Sequence, residues 1–168
     1  MLLLGCERPV VAPPPGAPRP ELVFEKLTLR VYRNGTPQLG VRSSHVELMR
    51  TSGDLVAQNV RFDFFLDAVT LEAPALKGNV NSLSFDAVGG VTFASSDPTP
   101  DARLIAKTPS AHFEGKEGAR GVATGSEPIA VRGLQSGRPF SLDAHAFRFD
   151  VDAQHATFDK VQSKVGAP

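Results

Sequence analysis

Apolar and polar positions alternate along most of this chain with a period of two. Leu27, Leu29 and Val31 alternate with Thr28, Arg30 and Tyr32, and Asn34-Gly35 follows. Asn-Gly supplies the φ > 0 conformations of a type I′ hairpin turn. A return strand opens at Leu39-Gly-Val41 and runs to Val46 and Leu48, then Thr51-Ser-Gly-Asp54 turns the chain. Val60, Phe62 and Phe64 keep the same period, with Arg61 and Asp63 facing away. Val69 to Leu71 makes a shorter run, closed near Pro74. Further strands are expected at Leu83-Ser-Phe85, Val91-Thr-Phe93, Leu104-Ile-Ala106, Ser110-Ala-His-Phe113 and Ile129-Ala-Val131. Turns or loops are expected at Asp97–Asp101, Glu114–Gly118 and Leu134–Gly137, and a turn or bulge at Gly89-Gly90. From Phe140 onward the apolar positions change parity, from Leu142, Ala144 and Ala146 to Phe147, Phe149 and Val151, which predicts a bulge near Ala146-Phe147. No segment sustains a 3.6-residue period with caps, so little helix is expected.

One cadence occurs twice. Val41–Val60 and Phe140–Val161 each read as an alternating strand, a short polar turn and a second alternating strand. The step from a late apolar residue to the closing valine matches, Leu48 to Val60 and Phe149 to Val161. A strand pair of this kind cannot bury its apolar face alone, so copies stack. The fold class predicted is all-β and antiparallel, a sandwich or jelly roll. The inward candidates include many phenylalanines. These rings either fill a closed sandwich core or line an open trough; the pattern alone leaves both readings standing.

Composition narrows the function. Eighteen basic and eighteen acidic residues give a formal net charge of zero, and no Lys/Arg run appears. A nucleic-acid binder needs a concentrated positive surface, so none is expected here. The single cysteine, Cys6, excludes an intrachain disulfide and a cysteine zinc site. It follows Leu3-Leu4-Gly5, which resembles the bacterial lipobox, where the cysteine is diacylated; two chains suffice for stable anchoring. The apolar run is short for that signal and no basic region precedes it. Residues 1–6 are therefore read as a lipobox, and Cys6 as the lipidation site. Residues 7–20 carry six prolines and read as a semi-rigid extended spacer of about 40 Å. Residues 21–166 form the β domain. No stretch approaches the ~20 apolar residues that span a bilayer.

Catalytic and metal motifs are sparse. His45, His112, His145 and His155 form no metal-ligand spacing and fall at outward strand positions. There is no Gly-x-Ser-x-Gly elbow and no phosphate-cradling glycine loop. Asp143, Asp150, Asp152 and Asp159 lack an ordered calcium-ligand spacing. No cofactor, no metal and no enzymatic activity are expected.

The segment Leu104-Ile-Ala106 … Ala111-His-Phe113 … Gly125-Ser-Glu-Pro128-Ile-Ala-Val131 … Leu142-Asp-Ala144 … Phe149-Asp150 … Phe158 … Val161 resembles the LptC/LptA (OstA-like) family of lipopolysaccharide-transport proteins. The likeness covers residues 22 to 165, more loosely in the N-terminal half. It rests on strand pattern and on the Gly-x-x-Pro-Ile/Val-x-Val segment. It implies an incompletely closed, V-shaped β-jelly roll of two facing sheets. It implies a non-enzymatic role in lipopolysaccharide export, with acyl chains in an apolar groove and modules joined through terminal strands, here near Leu22–Tyr32 and His155–Val165. The groove lining expected is Leu27, Leu29, Val31, Val46, Leu48, Val60, Phe62, Phe64, Leu83, Phe85, Phe113, Ile129, Val131, Phe147, Phe149 and Phe158. Implied partners are lipopolysaccharide, an LptA-like bridge protein and the inner-membrane lipopolysaccharide ABC transporter. The implied location is periplasmic and lipid-anchored, at the inner membrane by the likeness to LptC members, which have a transmembrane helix there, with the outer membrane as the alternative. The alternative is a structural envelope lipoprotein, a closed β-sandwich that binds a protein or glycan on its exterior.

Overall fold

A computed structural model describes residues 20–65, 68–95, 104–116, 119–135, 137–150 and 155–165. Cys6, the spacer before Pro20, the Asp97–Asp101 loop and the Asp150–Asp152 turn beyond Asp150 lie outside the described residues. Twelve strands and no helix occur among the described residues. They are β1 Leu22–Arg33, β2 Thr36–Leu48, β3 Asp54–Phe64, β4 Val69–Asn79, β5 Ser84–Ser95, β6 Leu104–Lys116, β7 Ala119–Gly125, β8 Ile129–Gln135, β9 Arg138–Ala144, β10 Ala146–Asp150, β11 His155–Asp159 and β12 Gln162–Val165. Every pairing is antiparallel.

The strands form one sheet that branches at β6. One path runs β1-β2-β3-β4-β5-β6-β7-β10-β11; the other leaves β6 through β8 to β9 and β12. The branch exists because β6 is long enough to serve two neighbours. Its N-terminal part, Leu104–Lys107, pairs β8, and its C-terminal part, His112–Lys116, pairs β7.

The branch point extends as a crease across the whole sheet. Cross-strand pairing lapses in turn at Lys26 of β1, Ser43-Ser44 of β2, Asn59 of β3, Ala73-Pro74 of β4, Gly89-Gly90 of β5 and Pro109 of β6. Beyond β6 the chain breaks outright at the same level: Ser126–Pro128 separates β7 from β8, His145 separates β9 from β10, and Lys160-Val161 separates β11 from β12. The residues along this line are those that bend a strand. Lys26, Asn59, Gly89, Gly90 and Lys160 have φ of 56°, 48°, 89°, 100° and 50°. Pro74 and Pro109 have no N–H to give to a ladder. The register shifts between Glu72 and Ala75 and between Val88 and Val91, the mark of bulges that turn a sheet.

The crease divides the sheet into two arms. Arm I holds the C-terminal part of β2, the first part of β3, and β7, β10 and β11. Arm II holds the other halves together with β8, β9 and β12. The arms face each other, since Phe93 of arm II makes ring contacts with Phe113 and Phe147 of arm I. No pairing joins β1 to β11 or β12, so the sheet never closes into a barrel. The expected open V of two facing sheets is the observed architecture.

Several expected strands are halves of longer ones. Leu83–Phe85 and Val91–Phe93 both belong to β5, apart from Leu83 itself; Leu104–Ala106 and Ser110–Phe113 both belong to β6; β4 continues through Pro74 to Asn79. The parity change near Ala146 is the passage from arm II to arm I at His145, a strand break instead of a bulge inside one strand. The Asn34-Gly35 turn stands as expected, both residues at positive φ (50° and 77°).

The repeated cadence has a structural counterpart. The β2–β3 hairpin pairs Val46 with Ala57 and Leu48 with Leu55. The β10–β11 hairpin pairs Phe147 with Phe158 and Phe149 with Ala156 at the corresponding positions. Asn59 and Lys160, equivalent in the two copies, are both crease residues at positive φ. The copies therefore build the same part of arm I, near its two ends.

Candidate functional site

The inner face of the V is assembled from cross-strand rows of apolar side chains. In arm I, Leu22, Leu48, Leu55, Gly78, Phe85, Phe113, Ala123, Phe149 and Ala156 are consecutive partners from β1 to β11. In arm II, Leu29, Val41, Phe62, Leu71, Phe93, Ala106, Val131 and Leu142 are consecutive partners from β1 to β9. Alternation along each strand turns these residues to one side, and pairing aligns them into stripes that cross the sheet.

Burial follows distance from the crease. Seven of the fifteen buried apolar residues among the described residues are alanine: Ala57, Ala73, Ala87, Ala106, Ala111, Ala123 and Ala144. Most lie within about three positions of the crease, where Leu71, Leu76, Ile129 and Phe147 are buried beside them. Of eleven phenylalanines, only Phe147 is buried, at 7%. Phe62, Phe64, Phe85, Phe93, Phe113, Phe140, Phe149 and Phe158 are half-buried against the core. A sealed sandwich puts its largest apolar groups deepest; among the described residues the largest fully buried side chains are Leu71 and Val91. The arrangement is a trough with an aliphatic floor and aromatic walls.

The expected lining residues divide accordingly. Val46, Val60, Ile129, Val131 and Phe147 are buried and belong to the floor. Leu27, Leu48, Phe62, Phe64, Phe85, Phe113, Phe149 and Phe158 are half-buried on the walls. Leu29 and Val31 are 49% and 43% exposed on the edge strand β1. Leu83 occupies the β4–β5 turn with φ 55°, where its carbonyl accepts a hydrogen bond from the Gly115 N–H at 2.7 Å. The structure adds Phe93, Leu71, Phe140 and Leu142 to the same surface. Their alternation with polar neighbours was present in the sequence, but Leu71 and Phe93 sit next to Pro74 and Gly89-Gly90, which split the pattern into fragments.

The cross-strand ion pairs lie on the opposite face. Arg42 Nη2 lies 3.0 Å from Asp63 Oδ2, Arg61 Nε 2.8 Å from Asp63 Oδ1, and Arg61 Nη1 2.8 Å from Glu72 Oε1. Burial opposes ionisation of Asp63, but the hydrogen bonds from Arg61 and Arg42 outweigh it and hold its carboxyl below the usual range. Arg132 bonds both oxygens of Asp143. These are solvated cross-strand pairs, each worth little in stability. Their effect is to keep one face of each arm wet.

The polar groups that are buried serve the crease. Ser43 Oγ lies 2.6 Å from the Gln58 carbonyl and 2.9 Å from the His45 carbonyl, and Thr108 Oγ1 donates to the Ser110 carbonyl at 3.1 Å. Those carbonyls flank the positions where ladder pairing lapses. No buried side-chain polar atom among the described residues lacks a partner. Among them, too, no group of three His, Cys, Asp or Glu side chains could hold a metal, and no helix is long and apolar enough to cross a membrane. A depression of ≈670 Å³ beside Lys77, Asp86, Ser110, His112 and Ser126 contains the His112–Asp86 contact (2.7 Å). It offers hydroxyls and the His112–Asp86 pair, with Glu114 Oε1 3.6 Å from His112 Nε2.

No family model matches the chain, and no curated protein matches it. Solved structures do match. One is LptH from Pseudomonas aeruginosa, described as the LptA homologous periplasmic component of the conserved lipopolysaccharide transport device. It superposes with a TM-score of 0.56 over 77% of this chain and 95% of LptH, at 11% sequence identity. The chain has the LptA-like fold. At that identity the likeness lies in backbone architecture and not in side chains, so the LptA-like fold is a frame on which this chain has placed its own apolar surface.

Proposed function

We propose that this protein is a non-enzymatic, periplasmic component of lipopolysaccharide export that holds lipid acyl chains in the trough between its arms. The observation that carries this reading is the wall of half-exposed phenylalanines on the inner face of a sheet that stays open. Each methylene moved from water into such a surface contributes ~0.8 kcal/mol. A multi-acyl lipid therefore binds tightly to a long apolar groove without any specific polar contact. The LptA-like fold supports the same reading.

The sheet's free ends supply the means of assembly. β1 lies at one end, and β11 and β12 at the other. Such edges accept a strand from a neighbouring module. In this proposal one end meets an LptA-like bridge protein and the other faces the inner-membrane transporter, while acylated Cys6 ties the domain to the membrane through the 7–20 spacer.

The test is co-purification of the domain with lipopolysaccharide. The wild-type domain is expected to retain it through gel filtration, and Phe62→Asp combined with Phe149→Asp to lose it while remaining folded by circular dichroism. A folded wild-type domain that retains no lipopolysaccharide at micromolar concentration overturns the proposal.

A further inference from the structure

Three phenylalanines interrupt the trough. Phe93 on β5 in arm II meets Phe147 on β10 in arm I edge-on, with ring centroids 6.0 Å apart and planes at 79°. It also meets Phe113 on β6 in arm I at 6.3 Å and 44°. The other ring pair among the described residues, Phe62 with Phe64, lies within β3 and joins nothing across the V. The Phe93 cluster is thus a bridge between the arms, rising from Phe147 in the floor and midway along the strand order.

The two sides of the bridge are built differently. Phe147 is fixed: it is 7% exposed, and its ring packs on Gly125, its cross-strand partner, where an added Cβ would collide with the ring. Phe93 is only half-buried, and its cross-strand partners are Leu71 on β4 and Ala106 on β6. One ring is an anchor and the other is partly exposed. Edge-to-face contacts of this kind contribute modestly.

We propose that Phe93 is the stop that sets how much of an acyl chain the β1 end of the trough accepts, and that it swings off Phe147 when lipid passes. This rests on the lipid-binding reading above and adds a length rule to it. From β1 to β5 are four strand spacings of ~4.8 Å, roughly 19 Å of trough before the bridge. A chain entering from the β1 end gains affinity with each methylene until it reaches Phe93. Beyond that, added length stays in water or must displace the ring.

The test is binding of a homologous series of single-chain lysophospholipids, below their micellar concentrations, to the purified chain and to Phe93→Ala. For the wild type, affinity is expected to rise roughly fourfold per added methylene and then to flatten. In Phe93→Ala the rise is expected to continue past that length. Phe93→Leu, which keeps an apolar core contact, is the second variant and is expected to move the plateau to longer chains. The protein has no tryptophan, so Phe93→Trp supplies a single fluorophore whose emission shifts only for lipids long enough to reach it. Wild type and both truncated variants with one length dependence, or an emission shift in Phe93→Trp that is equal for short and long chains, overturn the stop. No binding of any chain by the folded wild type overturns the lipid-binding reading itself, and the stop with it.

Discussion

Ser43 shows how a creased sheet stays folded. Bending β2 and β3 at Ser44 and Asn59 interrupts the ladder next to the Gln58 carbonyl, and a buried carbonyl left without a donor costs about 1–3 kcal/mol. The Ser43 hydroxyl at 2.6 Å supplies the donor, assisted by Ser44 at 3.1 Å. Ser43→Ala is therefore expected to destabilise the domain by about 1–2 kcal/mol in urea denaturation with an unchanged m-value. Ala87 makes the complementary point about volume. It is fully buried where the arms converge, so Ala87→Leu is expected to cost about 1–3 kcal/mol by overpacking. A neutral Ala87→Leu would mean that the arms stand farther apart at the crease than this packing requires. Both residues were hard to select from sequence: a serine and an alanine within alternating strands carry no sign of a crease, which only the pairing of six strands reveals.

Among the elements, β1 is exposed along nearly its whole length, with Leu22, Val23, Phe24, Leu29, Val31 and Tyr32 all open to solvent. It is held to β2 partly by His45, whose Nδ1 lies 2.8 Å from Glu25 of β1 and whose Nε2 lies 3.0 Å from Glu47. The hydrogen bond to Glu47, then that to Glu25, raise the His45 pKa above the ordinary 6.5. A raised folded-state pKa means that the contact stabilises fully below pH 6.5 and is lost as pH rises through the higher folded value. Amide exchange in β1 is thus expected to be slower at about pH 6 than at about pH 8 after correction for intrinsic rates, and His45→Gln to abolish the difference. The edges invite a second test. Charged residues on an edge strand discourage strand addition, so Leu29→Lys with Val31→Lys is expected to weaken association at the β1 end, read by light scattering or by pull-down with the bridge protein, and to leave the fold intact. Element positions were largely legible, because a period of two survives on each side of the crease, though β7 was not among the expected strands. Element lengths were not. Pro74, Gly89-Gly90 and Pro109 look like strand ends, and in isolation they would be. Here they align across neighbouring strands, so the interruptions become one shared bend.

At the scale of the molecule, the two arms segregate function by face. Ion pairs such as Arg61–Glu72 keep the outside wet, and phenylalanines occupy the inside without being sealed. The open fold was readable from alternation together with the family resemblance; alternation by itself fits a closed sandwich equally well, because it fixes which side a residue faces and not whether that side is covered. What distinguishes the two is that ten of the eleven phenylalanines are not buried, a property of three-dimensional placement. The candidate groove was legible for the same reason the strands were, and Phe93 was missed because the bend beside it broke its strand in two. The measurement that bears most directly on the trough is site-specific photo-crosslinking to lipopolysaccharide in living cells. Crosslinkers at Phe62, Phe85 and Phe149 on the inner walls are expected to capture it, and crosslinkers at Arg61 and Arg148, neighbours of Phe62 and Phe149 on the outer face, to remain unreacted. Capture from the outer positions with none from the inner ones would contradict the account.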